Sequence, residues 1–240
     1  MMKTVLITGG TSGIGEVTAR AFKDAGYNVV VNNISGGEDV DKFTEETGIP
    51  AYLWDVTDFE ACQKGVDQII EEHGGIDVLV NNAGIIRDAM LHKMDQGKWS
   101  SVIDVNLNSA YNMCHAVINH MRDKKYGRII SIGSVNGLAG QMGQTNYSAT
   151  KAGIIGFSKA LARETSRKGI TVNVVAPGYV NTSMMQDIPE DVLAKIVDSV
   201  PVGRLAEPEE IARAVIFLAD EQSGFITGET LSINGGLYMQ

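Results

Sequence analysis

Basic charge is in short supply. Lys and Arg number 20 against 29 Asp and Glu, leaving a formal net charge of −9. Binding of nucleic acid draws on a basic face, so nucleic acid is excluded as a main partner, and the acidic surplus reads as solubility. Cysteine is nearly missing: only Cys62 and Cys114 occur, both within helically patterned segments. With no CxxC pair and no zinc-ligand spacing, a disulfide scaffold and a metal centre are excluded, and a reducing compartment fits. No apolar run approaches the ~20 residues of a membrane span, and the opening MMKTVLITGG holds too short a run for a secretion signal. The expectation is a cytoplasmic protein with no membrane partner. Internal repeats, linkers and low-complexity stretches are also absent. The 27 glycines fall mostly at the ends of apolar runs, where they mark turns and close backbone approaches. A chain of 240 residues that is 44% hydrophobic can bury one substantial core, so residues 1–240 read as one domain.

What is present is an alternation. Residues 3–8 form a β-branched run, hence a buried strand. Gly9-Gly10-Thr11-Ser12-Gly13-Ile14-Gly15 follows at once, and a helical pattern then runs to Gly26. In a strand–loop–helix context, glycines let the backbone approach a pyrophosphate, and the helix N-terminus offers unpaired N–H groups to it. Residues 28–33 form a second strand ending in Asn32, Asn33, Ile34 and Ser35. An acid at that point would hold the adenosine ribose of NAD; without one a 2′-phosphate is not repelled. NADP (NADPH) is favoured over NAD, although no arginine stands there to grip the phosphate.

Helix 39–47 and strand 51–54 lead to Asp55, placed to accept a hydrogen bond from an adenine amino group, with Val56 beside it. Asp58 reads as the cap of helix 59–73. Strand 76–80 runs into Asn81-Asn82-Ala83-Gly84, whose small residues allow a flat ring to lie against backbone and whose asparagines can tie strands together. A polar loop over 88–98 precedes a long helix over 99–124. Asn106 inside it is a poor helix former that can disturb the backbone ladder and free a carbonyl. Strand 128–132, a helix from Tyr147 to Gly169, strand 170–176, Pro177-Gly178, a partly helical stretch over 182–202 suited to a mobile lid, helix 208–219 and strand 228–233 complete the order. Such alternation predicts an α/β fold on a parallel sheet.

The chemistry is concentrated between Ser134 and Lys151. Tyr147 and Lys151 are four apart on a helix and so share a face. A free phenol titrates near ~10, and a neighbouring ammonium favours its phenolate, moving it toward working range. Ser134 follows a buried strand, at the end of the sheet where parallel α/β folds place their sites.

These residues together resemble the short-chain dehydrogenase/reductase family over the whole chain: Gly9-x-x-x-Gly13-x-Gly15, Asp55, Asn82-Ala83-Gly84, Asn106, Ser134, Tyr147-x-x-x-Lys151 and Pro177-Gly178. The resemblance implies a doubly wound (Rossmann) seven-stranded parallel sheet and a nicotinamide-dependent reduction. Tyr147 would donate the proton, Ser134 would bond the substrate oxygen, Lys151 would hold the nicotinamide ribose and lower the tyrosine pKa, and Asn106 would support a relay water. Ile85 and Val180, flanking two of the motifs, join the expected cofactor contacts. Residues Ser134 to Ser148 are similar to family members that reduce acetoacetyl-CoA toward polyhydroxybutyrate, which implies Asp88, Gln141, Gln144 and Tyr179 as substrate contacts and a homotetramer. The alternative within the family is reduction of a 3-oxoacyl group on acyl carrier protein. That protein would dock on Lys125 and Lys168, helped by Arg122, Lys124, Arg128 and Arg167. An alternative of another class is a nucleotide-binding module without catalysis, which would be expected to lose the tyrosine or the lysine.

Overall fold

The structure is a computed structural model and describes residues 2–186 and 189–239. In chain order the elements are β1 (Thr4–Thr8), α1 (Gly13–Asp24), β2 (Asn28–Asn33), α2 (Glu38–Thr47), β3 (Ala51–Leu53), α3 (Phe59–His73), β4 (Val78–Asn81), α4 (Gln96–Ile103), α5 (Ser109–Lys124), β5 (Gly127–Ile132), α6 (Asn136–Ala139), α7 (Thr145–Thr165), β6 (Ile170–Pro177), α8 (Ser183–Gln186), α9 (Glu190–Ser199), α10 (Pro208–Ala219) and β7 (Thr230–Ile233). The seven strands form one sheet in the order β3-β2-β1-β4-β5-β6-β7, and every pairing is parallel. This is the parallel α/β sheet expected from the alternation, doubly wound with seven strands as the family resemblance implies.

Parallel strands covered on both faces read as continuous apolar runs, and β1, β4 and β5 are buried at every position. Successive side chains point to opposite faces, which divides the core in two. Val5, Ile7, Val29, Val31, Val78 and Ile130 pack with Phe22 of α1 and Ile211 and Val215 of α10 on one face. Leu6, Val30, Leu79, Ile129 and Val172 pack with Val66 of α3 and Val117 of α5 on the other. The order of strands reverses between β1 and β4, and the ligand crevice of such sheets opens at that point, beyond the carboxyl ends of the strands.

Two elements differ from the expectation in a way that matters for the site. Helix α1 begins at Gly13, not after Gly15, so the last two motif glycines form its first turn. The long helix begins at Gln96, capped by the Asp95 carboxylate, and is interrupted at Asp104–Asn108 by one π-helical turn. Single π turns accommodate an extra residue in an α-helix, and Asn106 sits in this one. Of the stretch expected to form a lid, α8 and α9 are helical, while Asp187 and Ile188 lie outside the described residues.

Candidate active site

The loops after β1, β4, β5 and β6 stand side by side because their strands do. Side chains then lock them together. Asn82 Nδ2 donates to the carbonyls of Thr8 and Gly9 at 3.0 and 2.9 Å. Thr8 Oγ1 accepts from the backbone N–H groups of Asn82 and Ala83, both at 3.1 Å. Gly133 N donates to Val175 O at 2.7 Å and Val135 N to Pro177 O at 2.8 Å, so the turn carrying Ser134 is held in register with Pro177-Gly178.

The glycine loop meets the requirements of a pyrophosphate cradle. Gly13 has φ +54°, and a Cβ there would meet nothing within 4 Å, so its outer side is open for a ligand. Gly15 serves a different purpose: a Cβ would overlap the Gly9 carbonyl and the Asn82 amide, so only glycine lets α1 start this close to β4. Ser12 is the N-cap of α1, exposed, with its hydroxyl making no capping bond. A helix start with a free hydroxyl and forward-facing N–H groups suits an anion. Beyond β3, Asp55 Oδ1 accepts from the N–H and hydroxyl of Thr57, both at 2.8 Å, which fixes the carboxylate beside Val56. Asn32 turns inward and donates to Trp54 O at 3.0 Å, leaving Asn33 and Ser35 as the polar groups at the outer end of β2.

Near the middle of the crevice, Lys151 is buried and its Nζ donates to Ile132 O at 2.7 Å, 5.5 Å from the centre of the Tyr147 ring. Ser134, on the turn after β5, stands close enough to the Tyr147 phenol to pull its pKa down. The π turn packs against α7. Asn106 Oδ1 accepts from Ile85 N at 2.7 Å and its Nδ2 donates to Ile85 O at 2.9 Å, pinning the segment that follows Asn82-Ala83-Gly84. A glycine loop at the switch point and a buried lysine beside a tyrosine thus share the carboxyl-end side of one sheet.

A family match over nearly the whole chain and full-length relatives more than half identical to it place the protein. The chain belongs to the short-chain dehydrogenase/reductase family. The family described as enoyl-(acyl carrier protein) reductase matches residues 9–238. The acetoacetyl-CoA reductase of Paracoccus denitrificans is 54% identical over 99% of both chains. That of Shinella zoogloeoides is 52% identical, again over 99% of each. The 3-oxoacyl-[acyl-carrier-protein] reductase of Vibrio harveyi is 45% identical over 99% of this chain and 98% of its own. This short-chain dehydrogenase/reductase is an oxidoreductase, of a kind that works with a nicotinamide cofactor.

The electrostatics of the crevice depart from the simplest reading of the sequence. Burial raises the Tyr147 phenol above its ordinary value. The Ser134 hydrogen bond pulls it back and the Asp88 carboxylate pushes it further up. Lys151, expected to bring the phenol down, is itself pushed down to about 8 by burial. An ammonium with that pKa is mostly charged at pH 7 and loses its proton just above it.

The expected substrate residues divide. Asp88 and Gln144 are joined, Gln144 Nε2 donating to Asp88 Oδ2 at 2.9 Å. Gln141 is exposed on the adjoining turn. Tyr179 lines a recess with Gly178, Val200, Val202 and Asn234. Val180 bridges to Ala206 below it. Arg128 is a correction. It is buried and donates to the carbonyls of Gly127, Gly169, Asp220 and Glu221, so it cannot contribute to a carrier-protein surface. Lys124 is tied to Asp77 at 2.6 Å.

Sequence reasoning missed Thr8, Asn146 and Asn136. Asn146 is fully buried and donates to the carbonyls of Arg87 and Lys98, anchoring the start of α7 to the loop bearing Asp88. The available signal was a hydroxyl or amide adjoining a motif residue in an otherwise apolar context. In the case of Asn106, substitution by alanine leaves two backbone groups of Ile85 without their partner. Unfolding in urea is expected to show a loss of about 2–4 kcal/mol, the usual penalty for orphaned part-buried groups; a loss below about 0.5 kcal/mol would mean water replaces the amide.

Proposed function

We propose that this protein reduces acetoacetyl-CoA, a 3-oxoacyl thioester, to (R)-3-hydroxybutyryl-CoA with NADPH. The observation that carries the reading is the convergence of Ser134, Tyr147 and Lys151 beside a glycine cradle with no acid at the end of β2. The names of two relatives, at 52% and 54% identity, point the same way. Gly9, Ser12, Gly13, Ile14 and Gly15 would hold the pyrophosphate, Asp55 and Val56 the adenine, and Asn82, Ala83, Gly84, Ile85, Pro177, Gly178 and Val180 the nicotinamide half. The bound cofactor supplies the hydride.

The chain's own groups do the rest. Ser134 donates a hydrogen bond to the ketone oxygen and, with Tyr147, fixes where that oxygen sits. As negative charge grows on the oxygen, Tyr147 transfers its phenolic proton, and the ketone becomes a hydroxyl. Lys151, held by Ile132 O, would contact the cofactor ribose and favour the phenolate that is left. Asn106 holds the backbone at Ile85 and, through the π turn, supports the route by which Tyr147 regains its proton. Asp88, Gln141, Gln144 and Tyr179 border the acyl chain.

Residues 1–240 act as one dinucleotide-binding and catalytic unit in the cytoplasm, as a step of polyhydroxybutyrate synthesis, and assemble as a homotetramer. Support for assembly comes from exposed aromatics on helical faces, among them Trp99, Tyr111 and Phe217, and from the fully exposed Phe225. Among the described residues no helix is long and apolar enough to cross a membrane.

The second reading, reduction of the same acyl group on acyl carrier protein, is favoured by one observation. Lys125 and Lys168 are both exposed, at helix ends brought together by the packing of Gly169 on the Lys125 carbonyl. Steady-state comparison of acetoacetyl-CoA with acetoacetyl-carrier protein, each with NADPH and NADH, separates the two. On the main reading kcat/KM is highest with acetoacetyl-CoA and NADPH; a preference for the carrier protein of tenfold or more would transfer the assignment to the second.

A further inference from the structure

A chain of side-chain hydrogen bonds runs along the acyl side of the crevice and passes through a residue outside the expected catalytic, cofactor and substrate contacts. Asn136, at the start of the short helix α6, gives its backbone N–H to Ser134 Oγ at 3.1 Å. Its side-chain Nδ2 donates to Gln144 Oε1 at 2.9 Å. Gln144 Nε2 donates in turn to Asp88 Oδ2 at 2.9 Å. The direction of this chain is not arbitrary. An ionised carboxylate only accepts hydrogen bonds, so Asp88 fixes which end of the Gln144 amide faces it. The opposite end is then an oxygen and requires a donor at position 136. Asparagine supplies one; aspartate, equal in size, does not. The backbone N–H of Asn136 also occupies a lone pair of Ser134, which leaves the serine's own proton to be given to a substrate oxygen.

We infer that Asn136 is a positioning residue for the 3-oxoacyl group: it couples the Ser134 hydroxyl to a polarised Asn136–Gln144–Asp88 rail that sets where the acyl chain lies. This rests on the reductase reading for its effect on turnover, but the rail itself is a property of the fold.

The test exploits the polarity. Asn136→Asp places two acceptors at the ends of one amide, and Gln144 cannot satisfy both in its present orientation. Asp88→Asn combined with Asn136→Asp reverses the rail: the amide introduced at position 88 donates to the Gln144 oxygen, and the Gln144 nitrogen donates to the carboxylate introduced at position 136. Wild type, both single variants and the double variant are compared for KM of acetoacetyl-CoA, KM of NADPH, kcat and melting temperature. Asn136→Asp is expected to raise the acetoacetyl-CoA KM about tenfold, leave the NADPH KM within twofold, and lower the melting temperature. The double variant is expected to recover most of both losses. Independent, additive losses in the two substitutions, or an unchanged KM in Asn136→Asp, would overturn the proposal. A purely structural role would move stability without restoring substrate KM in the reversed pair. Should wild type fail to turn over acetoacetyl-CoA, the reductase reading fails, and the melting-temperature cycle still decides whether the rail couples positions 88 and 136.

Discussion

Replacement of Tyr147 by phenylalanine is expected to lower kcat for ketone reduction by about three orders of magnitude while the dissociation constant of NADPH stays within about threefold. The size follows from the task. A positioned acid contributes on the order of 10²–10⁴-fold, and no other group near the ketone can take over. Ser134 is a far weaker acid, and Lys151 is engaged with Ile132 O. The phenol is half-buried and stands above its ordinary value because burial penalises the phenolate, so it is protonated at neutral pH and ready to donate. Phenylalanine keeps the ring and its packing, so binding is little affected. Activity within tenfold of wild type would show that the proton comes from elsewhere. Absorbance loss of NADPH, paired with fluorescence titration of NADPH, gives both quantities.

Lys151→Met is expected to move activity and stability in opposite directions. On the proposed mechanism the ammonium is needed as charge develops on Tyr147, and loss of one such preorganised group is expected to reduce kcat by about 10²-fold or more. Stability follows from linkage. Burial takes the group from 10.5 down to about 8, and one unit is worth about 1.36 kcal/mol, so keeping the charge buried costs about 3 kcal/mol at pH 7. Methionine removes that penalty but strands the Ile132 carbonyl, which returns about 1 kcal/mol. A net stabilisation of about 2 kcal/mol is expected in urea at pH 7. The sign against pH is definite. Below pH 8 the group is charged in both folded and unfolded chains, and the penalty is complete. Between about 8 and 10.5 the folded chain holds fewer protons than the unfolded one, so wild-type stability rises with pH and the advantage of methionine disappears. In wild type, kcat for reduction should also fall as pH passes 8 and the ammonium is lost. A stability difference that stays constant from pH 7 to 10.5 would place the cation in water.

How much of this was legible beforehand depends on where the information lies along the chain. Tyr147 and Lys151 were readable because their spacing alone puts them on one helical face, and the glycine loop because it sits between a strand and a helix. The sheet followed from apolar runs alternating with helical patterns. What stayed hidden depends on distant segments meeting. Arg128 looked like a surface cation, and only the arrival of residues 220 and 221 beside Gly169 buries it. Asn136 looked like part of a turn until α6 brought it against Gln144, and the loop after β4 brought Asp88. Asn106 was singled out as a poor helix former, but its partner, Ile85, is 21 residues away, and the π turn that aims it has no composition of its own. The upward push of burial on the Tyr147 phenol is hidden for a similar reason: charge proximity can be read from spacing, whereas burial cannot.

The roles given to Ser134 and Tyr147 require a ketone as the group reduced, and the family match carries the description of an enoyl reductase. Acetoacetyl-CoA and crotonyl-CoA differ in little else than a carbonyl against a carbon–carbon double bond. Followed side by side by NADPH absorbance with the purified chain, acetoacetyl-CoA should be consumed with one hydroxyacyl product formed per NADPH oxidised, and crotonyl-CoA should be left unchanged. Consumption of crotonyl-CoA with acetoacetyl-CoA untouched would contradict those roles.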